Sequence, residues 1–209
     1  MARKSKSSVD NTLKSRDALI DAGLGLASLE GWQNVTMAKI AMEAGLSLAD
    51  ALSEFSSKSQ VLAAFSQRVD LAVLSSVVFA KEEETARDRL FEVIMRRFDV
   101  LSPYKHGLHA VISGFRHEPI SGFCSCARIN ASMRLMLETA GLGSTGFQGE
   151  LKARGLTIIY ANSFRVWLDD DSPDLAATMA ALDRSLMRAE QIMSLLKLDG
   201  QDQFWRDHK

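Results

Sequence analysis

Cys124 and Cys126 are the two thiols of the chain, and with His117 nearby they are the first place to look for metal or redox chemistry. Residues two apart on a helix point in different directions, and a structural zinc site closes with four ligands. His106, His109 and Glu118 do not complete such a set, so reduced thiols and no bound metal are expected. Catalytic patterns are missing too: there is no nucleophile elbow, no HExxH and no phosphate-cradling glycine loop. Gly23-Leu24-Gly25 falls inside a helical pattern, where glycine is tolerated at some cost. No enzyme activity and no cofactor are expected. Two other chemistries remain. Arg3, Lys4, Lys6, Lys14 and Arg16 oppose only Asp10 in the first sixteen residues, a formal charge of +4 suited to phosphate. Ser47, Asp50 and Ser53 are small or acidic groups that can meet base edges: a carboxylate accepts from cytosine, and small side chains approach thymine methyls.

These groups need elements to hold them. From Ser15 to Leu29, apolar residues at Ala18, Leu19, Ala22, Leu26 and Leu29 keep helical spacing, and Gly31 stops the run. Thr36 is a candidate N-cap for a second helix, Met37 to Ala44, with Met37, Ile40, Ala41 and Ala44 inward. Gly45 supplies the positive φ of a tight turn, Leu46 is a buried turn residue, and Ser47 with Asp50 forms an approximate capping box for a third helix from Leu48 to about Phe55. Ser57 with Gln60 opens a fourth. Three short helices with a glycine-broken turn before the third have the order of a helix-turn-helix reader.

This order resembles the amino-terminal domain of the TetR family of bacterial repressors. The residues that carry the likeness are Ala22, Gly31-Trp32, Val35-Thr36-Met37, Ile40-Ala41, Ala44-Gly45-Leu46-Ser47, Phe55-Ser56-Ser57-Lys58 and Val61-Leu62. It implies an all-α, TetR-like fold: a three-helix reader plus a larger helical domain for effector binding and dimerisation. The expected division is a flexible basic arm at 1–9, a reader at 10–58, a helical domain at 59–198 and a tail at 199–209. By this resemblance the operator-contacting set is Arg3, Lys4, Lys6, Thr36, Lys39, Ser47, Leu48, Ala49, Asp50, Leu52, Ser53 and Lys58. The chain departs from the family in its charge. Between Asp17 and Lys58 only Lys39 and Lys58 are basic, against six acids, a formal charge of −4. The third helix has no Lys or Arg, and Leu52 stands where the family usually has a backbone-contacting Tyr. The basic arm tracks phosphates or enters a minor groove in one reading, and is a solvated terminus or part of a targeting signal in the other. No apolar h-region follows it.

Beyond Lys58 the apolar period stays near 3.6, and Pro occurs only at 103, 119 and 173. Helices are expected from Val61 to about Ala80, from Arg87 to Leu101, between Pro103 and Pro119, from Ser121 to Ala140, from Phe147 to Leu168 and from Ser172 to Leu198, with Gly141–Gly146 as a loop. An apolar effector of unknown identity would meet Phe91, Met95, Phe98, Phe115, Phe123, Met133, Met136, Leu137, Tyr160 and Phe164, because Met and aromatic side chains adapt to varied apolar ligands. His106, His109, His117 and Arg116 could orient a polar head group. Leu175, Met179, Leu182, Leu186, Ala189 and Met193 form a stripe that is either the seam of a homodimer or core within one subunit. A two-fold dimer would place two readers about 34 Å apart on operator double-stranded DNA.

A second resemblance lies in this half. Trp167, then Asp171-Ser172-Pro173-Asp174-Leu175, Thr178 and Leu182-Asp183, are similar to a motif of the lipid-binding accessory proteins of ubiquinone biosynthesis, which share the TetR fold. That likeness implies a TetR-fold lipid or isoprenoid carrier with weak or no DNA binding. The segment after Leu198 is too short for that family's membrane helix; Phe204 and Trp205 could still touch a bilayer or a partner, but a frayed or folded-back tail is expected rather than membrane contact. With a net charge of −1 over 209 residues and no apolar run of membrane length, a cytoplasmic location is expected.

Overall fold

A computed structural model describes residues 2–76, 84–115 and 119–195, with the side chains of 2–11, 119–126 and 195 left outside that description. No strand occurs among the described residues, and the helices are α1 (Ala2–Glu30), α2 (Met37–Glu43), α3 (Leu48–Glu54), α4 (Lys58–Ser76), α5 (Ala86–Leu101), α6 (Lys105–Gly114), α7 (Pro119–Thr139), α8 (Gly146–Asp169) and α9 (Ala176–Leu195). Short 3-10 turns occupy Trp32–Asn34 and Ser102–Tyr104. The chain divides into two units, Met1–Arg68 with Pro103–Cys126, and Val69–Ser102 with Ala127–Lys209.

In the first unit the amino-terminal helix begins well before the expected Ser15. No Pro or Gly interrupts residues 2–22, so nothing separates the basic segment from the helix, and what was expected as a flexible arm is the first part of α1. The unit also extends past the expected boundary at 58, taking in the start of α4 and all of α6. Gly107 explains how α6 joins it. A Cβ on that residue would lie 2.6 Å from the Leu24 carbonyl oxygen, so only glycine lets α6 pack this closely on α1. Around this contact Leu19, Leu24, Trp32, Val35, Ile40, Phe55, Val61 and Phe65 are buried.

The two short helices end and begin as their sequences require. Thr36 Oγ1 accepts from the Lys39 amide at 3.3 Å, starting α2. Gly45, at φ 69°, ends it: its amide donates to the Met42 carbonyl and the Leu46 amide to the Ala41 carbonyl, satisfying two carbonyls that the helix end leaves open. A side chain with a Cβ would be strained at that φ, which fixes a glycine at the turn.

The second unit is built from the carboxyl-terminal end of α4, α5, the part of α7 from Ala127 onward, α8 and α9. Thr85 caps α5 through the Asp88 amide at 3.1 Å. Arg89 of α5 donates from Nε to the Ala140 carbonyl, placing a cation at the negative end of α7. Gly141 repeats the arrangement seen at Gly45 and opens the expected loop.

The last helix begins later than the Ser172-Pro173-Asp174 signal suggests. Pro173 and Asp174 form a turn closed by the Leu175 amide on the Ser172 carbonyl, Leu175 takes a left-handed φ of 51°, and α9 starts at Ala176. Ser172 still caps it, accepting from the Ala176 amide at 3.2 Å, but the stronger cap is remote in sequence. Asp170 Oδ2 accepts from the Thr178 amide at 2.8 Å and from its hydroxyl at 2.7 Å. Burial pushes the Asp170 carboxyl up, yet these bonds and those from Ser172 outweigh it and hold the group well below the usual carboxylate range.

Candidate nucleic-acid interface and ligand groove

In the first unit, α3 turns outward a surface that carries no Lys or Arg. Ala51 is buried, whereas Leu48 and Leu52 are 45% and 43% exposed, with Ala49, Asp50 and Ser53 beside them and Met42 of α2 exposed at 75%. The polar groups expected to read bases make local hydrogen bonds here. Ser47 Oγ donates to Asp50 Oδ2 at 2.6 Å while accepting the Asp50 amide, and Ser53 Oγ donates to the Asp50 carbonyl at 2.7 Å. The proton of each hydroxyl is committed in these bonds, which leaves Asp50 Oδ1 and the remaining hydroxyl lone pairs as acceptors toward a base.

The bases of this body are also engaged. Lys39 Nζ lies 2.7 Å from Glu30 Oε2 and 3.0 Å from the Asn34 carbonyl. Lys58 Nζ donates to the Trp32 carbonyl at 3.0 Å and stands 5.0 Å from that indole. Arg16 reaches Glu54 at 3.3 Å and lies over Phe55, and Arg68 bridges Asp17 and Asp21. Burial lowers the Arg68 pKa, but Asp21 and Asp17 more than offset it, so the guanidinium is held more firmly charged. These cations neutralise the unit's own acids and carbonyls. Nothing in the sequence signals the pairing, because partners such as Lys58 and Trp32 are brought together by the turn at Trp32–Asn34 rather than by helical spacing. Arg3, Lys4 and Lys6 fall among the side chains outside the description.

The residues expected to line an effector cavity separate into several groups. Phe98, Met133, Met136, Leu137 and Tyr160 are buried core. Phe98, Tyr160, Phe164 and Trp167 form one aromatic cluster, with Phe98 stacked 5.5 Å from Tyr160 and 5.7 Å from Trp167. Next to it Arg97 pairs with Asp70, Ser132 donates to Asp70 at 2.7 Å, and Arg97 Nε approaches the Tyr160 hydroxyl at 3.4 Å. Burial raises the Tyr160 pKa further than the neighbouring guanidinium lowers it, so the phenol stays protonated. These side chains pack against one another in the interior of the second unit. Phe115 is half-buried in the first unit, Phe123 lies outside the described side chains, and His106 and His109 are exposed on α6; Arg116 and His117 are also outside the description.

Phe91 and Met95 do meet open space. They line a half-open groove of about 530 Å³ in the second unit, walled by α5 and by Ser172 to Leu175 and Met179. Sequence reasoning missed the contribution of the 172–175 turn, because an N-cap signal predicts a helix start and carries no indication of what the turn faces.

The expected dimer seam changes as well. Leu182 and Leu186 are 0% and 5% exposed inside a single chain, packed where α9 meets α8 and α5. Leu175 and Met179 belong to the groove. The apolar side chains that do reach the surface of these helices are Phe147, Leu151 and Ile158 on α8 and Met187 and Ile192 on α9. Among the described residues no group of His, Cys, Asp and Glu is placed to hold a metal, and no helix is long and apolar enough to cross a membrane.

Comparison with known proteins matches both halves. Residues 19–65 fit the model of bacterial regulatory proteins of the tetR family, and residues 131–193 fit the model of the COQ9 family. No curated protein matches the sequence significantly. Among solved structures, a TetR transcriptional regulator from Nitrosomonas europaea is 24% identical, with a TM-score of 0.66 over 84% of this chain and 98% of its own. One from Rhodococcus sp. RHA1 is 18% identical, with a TM-score of 0.59 over 85% and 96%. One from Streptomyces coelicolor is 21% identical, with a TM-score of 0.51 over 90% and 98%. The protein thus has a TetR-like all-α fold, with its reader helices similar to the TetR family and its last helices similar to COQ9.

Proposed function

We propose that this protein is a homodimeric, ligand-responsive transcriptional regulator that binds operator DNA through α2 and α3. The observation that carries this reading is the pair of capped short helices around Gly45, within the stretch similar to tetR-family regulators, with α3 exposed along Leu48, Ala49, Leu52 and Ser53. Contact with thymine methyls suits such a surface, and the grip on phosphate falls to the basic residues at the start of α1. A ligand in the larger unit acts by its different affinity for two states of the dimer. Dimerisation is supported by the exposed apolar side chains of α8 and α9, and Leu151→Asp with Ile158→Asp yields a monomer in sedimentation.

Selection of genomic fragments by the purified protein at several salt concentrations tests the DNA function. A specific site survives near physiological salt, and removal of residues 1–9 weakens binding and flattens its salt dependence. Replacing Ser47 or Ser53 alters the preferred sequence. If no fragment is enriched over random DNA, the regulator reading fails.

A second reading, a TetR-fold lipid or isoprenoid carrier, is favoured by the internal pairing of Lys39 and Lys58 and by the COQ9 match. Isoprenoid lipid recovered from the purified protein, with no DNA selected, supports it.

A further inference from the structure

The groove of the second unit has an electrostatic character that limits what can occupy it. Its apolar surface comes from Phe91, Met95, Leu175 and Met179, while Glu92, Asp99 and Asp174 contribute carboxylates, and no Lys or Arg lines it. Glu92 is held by Arg96 at 2.7 Å. Asp99 and Asp174 have no ion-pair partner among the described residues.

Two helix ends reinforce this sign. Asp99 and Ser102 lie at the carboxyl-terminal end of α5, where the helix dipole is negative. The amino-terminal end of α9 would normally attract an anion, but two of its amides are already taken: Ser172 accepts from Ala176 and Asp170 accepts from Thr178. An anionic ligand therefore meets carboxylates without ion-pair partners among the described residues and no Lys or Arg to offset them. Leu175 adds a geometric sign of specialisation, since a non-glycine residue at φ 51° is strained and is retained where its neighbours over-determine it. That conformation belongs to the turn that forms one wall of the groove.

We propose that this groove binds an amphipathic organic cation, a quaternary ammonium, phosphonium or protonated amine carrying an aryl or alkyl body. The body packs on Phe91, Met95 and Met179, and the cationic head lies near Asp99 and Asp174, with the Phe91 ring face able to add a cation–π contact. This deepens the ligand half of the regulator reading, although the binding itself does not depend on DNA.

The test is calorimetric titration of the full-length protein with tetraphenylphosphonium and, separately, with tetraphenylborate, two ions of nearly the same shape and opposite charge. The phosphonium binds at one site per chain and the borate at least about tenfold more weakly, a gap within reach of a charge contact near the protein surface. Asp99→Asn with Asp174→Asn lowers phosphonium affinity about tenfold and narrows the gap between the two ions. Met95→Trp, which fills the groove, abolishes phosphonium binding. Equal affinities for the two ions in the unaltered protein would overturn the proposal without need of any variant, as would phosphonium binding that survives Met95→Trp in a folded protein. Because no DNA is present, failure here is separate from failure of the operator reading.

Discussion

The two units use their charges in opposite ways. In the first, Arg16, Lys39, Lys58 and Arg68 lie at or near the surface and are each matched to a nearby acid or carbonyl, so this unit, whose 17–58 stretch is negative by composition, presents an α3 without a cation. In the second, cations are taken inside: Arg97 holds Asp70 and approaches Tyr160, and Arg89 closes the end of α7, while carboxylates are left open at a groove. Charges matched at a surface set what a unit attracts and contribute little to its stability. A pair buried in a core works the other way: losing one partner strands the other in a medium that cannot solvate it.

Breaking the buried pair should produce the largest effect. Arg97→Ala leaves Asp70 with the Ser132 hydroxyl as its hydrogen-bond donor, and a loss of about 3–5 kcal/mol in denaturant unfolding is expected. Adding Asp70→Leu to Arg97→Met should restore much of it; a loss below about 1 kcal/mol for the single change would show the pair to be solvated. Gly107→Ala probes the corresponding dependence of the first unit on close packing. Its Cβ would press on the Leu24 carbonyl, and a cost of about 1–3 kcal/mol with exposure of the α1–α6 contact is expected from hydrogen exchange.

Asp170 sharpens the comparison through pH. Its folded carboxyl titrates below the unfolded one, so the unfolded state binds more protons and stability rises with pH across that interval. The contribution is complete above the ordinary carboxylate value of about 4 and is lost as pH falls through the lower folded value. Asp170→Asn should flatten this acid limb, and Asp170→Ala should cost about 1–2 kcal/mol at neutral pH as a lost cap. An unchanged acid limb in Asp170→Asn would contradict the cap. The smallest effect belongs to the surface. Lys39→Ala, which removes a partly exposed pair with Glu30, should change stability by about 1 kcal/mol or less. A larger change would mean that the reader body depends on its charge pairing as the second unit does.

Much of the reader was legible because its signals are local. Thr36, Gly45 and Ser47 act within four residues of themselves, and the helices they bound lie within a residue of where they were expected. The effector lining was less legible, since Met133, Met136 and Tyr160 have the same spacing and composition whether they enclose a space or fill one. The apolar stripe of α9 was legible only in part for a related reason. Leu182 and Leu186 mark an apolar face, but Met187 and Ile192 lie off it on either side, and which side chains are covered within the chain depends on α5 and α8.

The order of residues alone determined the helical class, the position of the tight turn and the charge deficit of the reader, because backbone preferences, caps and net charge are properties of short segments. Only the folded chain decided that Lys39 and Lys58 serve their own unit, that an aromatic cluster occupies the interior, and that Asp170 caps a helix eight residues away. Those outcomes depend on which surfaces compete for the same partner, and that competition exists only once distant segments share a core.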